Sequence, residues 1–262
     1  MSKFKNKGEI SELLLKIYLI YLRDFEPNLE TPFGPITSVG FTNEYKKLNF
    51  NINFNNLIDL IKLGDFQQLE EISELLEIEK SSSFNKADVF INNYGVSTKF
   101  MGGAKPALVN HTSREKWLRI SEEINYDISI LDNLINLYWN NIENKIHPKD
   151  IKNSNPSSPF YNALEDLRPI LNYYSFLGSG KKRSKFPAYY IMDYKLFNDV
   201  NTWNIYNENN FLDNIWNKLV FSFRSDRGME KYFNIEQKEK IEPWTREINN
   251  RFLGAFHIRI SK

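Results

Sequence analysis

Three short runs follow one another without a gap: Ala87-Asp88-Val89-Phe90-Ile91, Asn92-Asn93-Tyr94-Gly95 and Val96-Ser97-Thr98-Lys99-Phe100. The outer two are rich in β-branched and aromatic residues, and the middle one is a cluster of turn formers. This pattern predicts a β-hairpin over 86–101. It sets Asp88 at the start of one strand and Lys99, eleven residues on, in its neighbour. A carboxylate and a lysine on adjacent strands suit phosphodiester hydrolysis. That reaction needs a divalent cation, an activated water and stabilisation of developing negative charge. Magnesium is the natural cation, because it takes one or two carboxylates and keeps several waters. On spacing alone, the same two residues also read as a surface ion pair.

Outward from the hairpin, the chain alternates helical and strand patterns, which predicts a mixed α/β fold. Ile10, Leu13, Leu14, Ile17, Tyr18 and Tyr21 recur at helical spacing over 8–22, and Glu9 and Glu12 lie near one face of that helix. Short strands are expected near 36–42 and 48–53, and two helices over 55–63 and 66–78, split by Gly64-Asp65. After the hairpin, 107–110 reads as a short strand or a helix start, and 121–144 as one long amphipathic helix. The run HPKDIKNSNPSSP over 147–159 reads as a loop inside one domain. A helix over 160–177 with a kink at Pro169 leads to a basic glycine-bearing loop, 178–187. Strands are expected at 188–192, 219–223 and 251–260. We read 1–262 as a single domain, with 150–262 supplying recognition and an extension of the sheet.

Composition removes several chemistries. The 262 residues contain no cysteine, which excludes disulfides, thiolate nucleophiles and Cys-based zinc or iron–sulfur sites. The three histidines, His111, His147 and His257, form no HExxH pair. Glu9, Glu12 and Lys16 interrupt the first apolar stretch, so it is not read as a signal peptide, and no run is long enough to span a membrane. A cytoplasmic protein with no membrane partner is expected.

A net charge of +1 does not announce a nucleic-acid binder, but its distribution is uneven. Residues 65–79 carry acids alone, whereas 99–119 and 181–195 are basic. That contrast suits a polyanion-binding cleft with an acidic back, and it suits solvated loops equally. Lys105, Asn110, His111, Arg114 and Lys116 after the hairpin, Lys181, Lys182 and Arg183 in the glycine loop, and Arg224 and Arg227 after a strand are the DNA-binding candidates. Arg can read guanine and Asn adenine. A coat over a helix start, or an ordinary charged turn, is the plainer reading of the same residues. Gly178-Ser179-Gly180-Lys181 is not a P-loop, because Ser175 and Lys182 stand where a glycine and a Ser or Thr are required.

With these residues in view, the chain resembles the PD-(D/E)xK nucleases, in particular type II restriction endonucleases. Gly95-Val96-Ser97-Thr98-Lys99 is similar to their Gly-Φ-Ser-Φ-Lys strand variant. Pro106-Ala107-Leu108-Val109-Asn110-His111-Thr112-Ser113 resembles the "(S/T)LLNAS" segment that trails the catalytic lysine. Lys7-Gly8-Glu9-Ile10-Ser11-Glu12-Leu13 resembles the opening helix whose glutamate faces the site, and Glu12, four after Gly8, has the spacing of archaeal Holliday-junction resolvases. Phe176-Leu177-Gly178-Ser179-Gly180 with Pro187-Ala188 is a weaker match to a "GTG…P-A" segment.

The resemblance implies a restriction-endonuclease-like core, a central mixed sheet flanked by helices. It implies Asp88 as principal metal ligand, with Glu12 and Thr98 as further ligands, Lys99 as catalytic lysine and Glu9 in reserve. The chain departs from the usual pattern at Ser97, where Glu or Asp is standard. The expectation is that Glu12 supplies the missing charge and that Ser97 acts only through water. The implied activity is magnesium-dependent, sequence-specific cleavage of double-stranded DNA by a homodimer, beside a cognate DNA methyltransferase. A structure-selective nuclease such as a junction resolvase, or a non-catalytic DNA-binding protein on the same fold, are the alternatives.

Overall fold

The computed structural model describes residues 7–79, 81–82, 84–225, 240–248 and 250–261. In chain order its elements are α1 (Lys7–Phe25), β1 (Val39–Gly40), α2 (Phe54–Lys62), α3 (Gln67–Leu75), β2 (Val89–Ile91), β3 (Tyr94–Phe100), β4 (Ala107–Thr112), α4 (Arg114–Ile124), α5 (Ile128–Glu143), β5 (Ile151–Lys152), α6 (Leu164–Asn172), β6 (Tyr190–Tyr194), β7 (Asn204–Tyr206), α7 (Phe211–Ile215), β8 (Leu219–Ser225), β9 (Arg246–Ile248) and β10 (Arg251–Ile260). They group into two compact units, one of residues 1–104 and 185–206, the other of 105–184 and 207–262. The fold is mixed α/β, with one helix-flanked sheet in each unit. Among the described residues no helix is long and apolar enough to cross a membrane.

The first unit is built on a five-stranded mixed sheet of order β1-β2-β3-β6-β7. β2 and β3 form the expected hairpin, with Val89 opposite Val96 and Ile91 opposite Tyr94. The turn is tighter than the sequence cluster suggests. Asn92 and Asn93 alone make it, with φ of +48° and +69°. Two left-handed residues give a turn whose twist matches the strands, and Asn tolerates that region. β3 runs parallel to β6, with Ser97 opposite Ile191 and Lys99 opposite Asp193. Gly95 is required by packing: a Cβ there would lie 2.5 Å from the Pro187 carbonyl oxygen. α1 is buried almost all round, with Leu15, Ile17, Leu19 and Ile20 fully enclosed against Val89, Ile91 and Val96 of the sheet.

The second unit holds an antiparallel sheet of order β4-β10-β8-β5, with β9 paired to β10. One face of it, Phe221, Phe223 and Phe256, packs with Trp117, Tyr138, Trp139, Phe160 and Trp244 in an aromatic core.

Several expectations need correction. The helix expected over 121–144 is two, α4 and α5. Asn125, at φ +53°, ends α4, and Asp127 caps α5 by accepting from the Ser129 amide. No strand forms over 48–53. The 107–110 segment is a strand. The loop at 147–159 contains β5, and Asn153 and Ser158 are buried and hydrogen-bonded to each other. The helix expected to 177 changes to a π-turn over Tyr173–Leu177, where Gly178 N–H donates to the Tyr173 carbonyl five residues back.

Candidate active site

All the residues proposed for cleavage lie in the first unit. Continuing the hairpin register by one step sets Asp88 opposite Ser97. Asp88 N–H donates to the Val96 carbonyl at 2.8 Å, which holds the backbone in place while the side chain turns back over β3. Its Oδ2 accepts from the Thr98 amide at 2.7 Å and from Ser97 Oγ at 3.3 Å, and Oδ1 from Ser81 Oγ at 3.4 Å. Ser97 and Lys99 are two apart on one strand and therefore share a face. Lys99 Nζ donates to Ser97 Oγ at 2.9 Å. Ser97 is thus a buried bridge between the lysine and the carboxylate, in direct contact with both.

Glu12 enters from α1. Lys16, one turn on and buried, donates to it at 2.8 Å and also to the Glu79 carbonyl at 3.3 Å. Burial raises the Glu12 pKa above the usual carboxylate value. The Lys16 charge opposes that, the Asp88 charge adds to it and the Lys99 charge opposes it. Glu12 therefore shares one electrostatic field with Asp88 and Lys99. Glu9 and Glu12 both line a cavity of about 310 Å³ with Lys16, Glu70, Glu74 and Glu79.

Four residues of this centre escaped the sequence reading. Lys86 is pushed down to about 8 by burial and by the Lys99 charge, against the pull of Asp88. Its signal was present: in an extended chain, residues 86 and 88 point the same way. Lys16 also had a signal, the i,i+4 spacing from Glu12 on α1, whereas Ser81 and the Tyr194 hydroxyl, which pairs with Ser11 Oγ at 3.0 Å, come from other segments and left no local pattern.

The donor set has the right chemistry for magnesium. Asp88 and Glu12 offer hard carboxylate oxygens, and such a cation asks for only one or two of them. Among the described residues no group of three or more Asp, Glu or His side chains that could hold a metal ion converges. Thr98 meets Asp88 through its amide.

The DNA-binding candidates lie in the second unit, which gathers them in part: Lys116 lies beside Gly180 of the basic loop, and His111 and Arg224 both neighbour His257. Lys105, Asn110 and His111 are exposed on or beside β4. Arg114 is committed elsewhere: its guanidinium grips Asp132 at 2.8 and 2.6 Å and donates to the Lys240 carbonyl. Lys116 is half-buried on α4 beside Gly180. Lys181, Lys182 and Arg183 are exposed on a loop whose Ser179 and Gly180 carbonyls accept from Arg119. Arg224 pairs with Asp150 at 2.9 Å. Arg227 lies outside the described residues. No protein-family model, curated protein or solved structure matches this chain.

Proposed function

We propose that this chain is a magnesium-dependent endonuclease acting on double-stranded DNA, of the type II restriction class. The observation that carries the reading is the Lys99–Ser97–Asp88 relay on one hairpin, with Glu12 in the same field. Asp88 and Glu12 would hold the cation, which when bound supplies Lewis acidity and a water activated for attack. Asp88 is kept in place by the Thr98 amide, so its orientation does not depend on a flexible neighbour. Lys99, steadied by Ser97, presents an ammonium to the phosphate oxygens that gain negative charge as the new bond forms. Glu12 is tethered by Lys16, one helical turn on, which limits the motion of its carboxylate. Two cuts on a near-symmetric site would call for a homodimer, since protein symmetry mirrors site symmetry. A cognate methyltransferase would accompany the enzyme in the same system.

The test is incubation of the purified protein with unmethylated phage-length DNA in magnesium or in EDTA. Discrete magnesium-dependent fragments are expected, with Asp88→Asn and Lys99→Ala each reducing the rate by three orders of magnitude or more. Cleavage at the normal rate by either variant would remove this centre from the mechanism. Cutting of branched DNA but not of plain duplex would replace the restriction reading with a structure-selective one.

A further inference from the structure

The aromatic core of the second unit takes one face of its sheet, and the other face is different in kind. In the β8–β10 register, Ser222 stands opposite His257 and Val220 opposite Arg259, while Phe221, Phe223, Phe256 and Ile258 point into the core. His257, Arg259 and Arg224 therefore share the other face, where Ser222 and Val220 are buried and the two arginines are partly exposed. β4 adds His111 to it by an irregularity. Between the pairs Phe256↔Thr112 and Ile258↔Val109, β4 spends three steps to the two of β10, so it carries one extra residue. His111 takes the strain, at φ +41°, a value rare for a residue with a Cβ. Bulges re-aim side chains and gather at functional sites, as strained backbone does. This one sets the His111 ring edge-on to His257, with centroids 4.8 Å apart.

The charge of the cluster is one-sided. Asp150 accepts from both Arg224 and Arg259, so one carboxylate steadies two guanidinium groups and leaves an excess of positive charge. Two nitrogens of the cluster, His257 Nδ1 and Arg259 Nε, are shielded from water with no hydrogen-bond partner among the described residues. Burial, His111, Arg224 and Arg259 together push His257 down to about 4. Burial is the largest of these causes, and the positive field of the two arginines adds to it.

We propose that the face formed by His111, His257, Arg224 and Arg259 is a nucleic-acid docking surface that takes the phosphate-lined groove of the DNA duplex. The proposal rests on the nuclease reading for its partner and adds where a unit without cleavage residues meets that partner. Arginines held in a fixed plane suit both phosphate and base-edge acceptors. Asp150 provides that fixing here.

The experiment is fluorescence anisotropy of a fluorescein-labelled, mixed-sequence 30-base-pair duplex, titrated in EDTA so that nothing is cut. Arg224→Gln with Arg259→Gln is expected to weaken binding tenfold or more and to flatten its salt dependence by about one counterion per lost phosphate contact. His111→Ala, at an exposed position, is expected to weaken it severalfold. Arg168→Gln, on the same unit but away from this face and paired with Glu165 and Asp213, is the control for charge alone and should bind as wild type. Near-UV circular dichroism establishes that each variant is folded. A uniform loss across sequences marks phosphate contacts, and a loss confined to one sequence marks base contacts. Either outcome supports the surface. Full affinity in the folded double variant, or no duplex binding by wild type, overturns it. Asp88→Asn separates the two readings: it removes cleavage and should leave this binding intact.

Discussion

Ser97 links the two charged side chains of the hairpin. Its Oγ accepts from Lys99 and donates to Asp88, so it organises the two groups that carry charge. Ser97→Ala removes a hydrogen bond to an ammonium, worth about 1.5–3 kcal/mol. On the proposed nuclease reading, cleavage should slow by roughly 10–100-fold. The magnesium requirement should not change, because the Thr98 amide still holds Asp88. Single-turnover rates against magnesium concentration check both parts, and a raised magnesium requirement would make Ser97 a water-mediated ligand instead. His257 offers a second residue-scale prediction. Its folded pKa lies near 4, below the ordinary value of 6.5. The unfolded chain therefore binds more protons between those values, and stability contributed above pH 6.5 is lost as pH falls toward 4. Solvent on its open side reduces the effect to about 1 kcal/mol, or roughly 2–4 °C in melting temperature. His257→Asn should flatten that part of the melting-temperature profile, and an unchanged slope would mean another group sets it.

At the scale of elements, the hairpin, β6 and β8 were legible and the shortest strands were not. Two β-rich runs around a turn cluster leave few alternatives, and the long β10 declares itself in the same way. β5, β7 and β9 have two or three residues each, too few for a period to show, and exist only because longer strands pair with them. The break between α4 and α5 was masked by apolar residues that keep helical spacing across it, although Asn125 and Asp127 are strong end signals. In the site, alternation and register fixed Asp88, Ser97 and Lys99, and helical spacing pairs Lys16 with Glu12, whereas Ser81 reaches Asp88 by tertiary packing. The turn itself is open to test. Asn92 Oδ1 accepts from the Thr37 and Ser38 amides, and its Nδ2 donates to the Phe33 and Pro35 carbonyls. Asn93 is exposed at the second left-handed position. Asn93→Gly should be neutral or stabilising by up to about 1 kcal/mol. Asn92→Gly keeps the backbone freedom and loses the bridges, which should cost about 1–3 kcal/mol. Urea melts of the two variants make the comparison, and equal effects would show that the bridges contribute nothing.

The whole molecule is laid out in a way that no local pattern announces. The unit carrying Asp88 and Lys99 is interrupted: the chain leaves it at 104 and returns at 185 to lay down β6 and β7. β3 therefore stays an edge strand until residues 190–194 pair with it. Met192, Tyr194, Phe197 and Trp203, all buried in the same core, also arrive late. Two truncations distinguish completion of this unit from completion of the chain. A chain of residues 1–206 holds every strand of the first sheet but lacks β8 and β10 of the second. Its 105–184 segment would then be an 80-residue loop, whose closure costs only about 4 kcal/mol and grows slowly with length. A chain of residues 1–184 lacks β6 and β7 as well. Hydrogen exchange of the amides in 94–100 should show protection in 1–206 and none in 1–184. Those amides depend on β6 for their second set of backbone partners and on the late core residues for shelter from water. If both fragments exchange freely, the first unit draws its order from residues beyond 206, and its boundary at Tyr206 does not mark a folding unit.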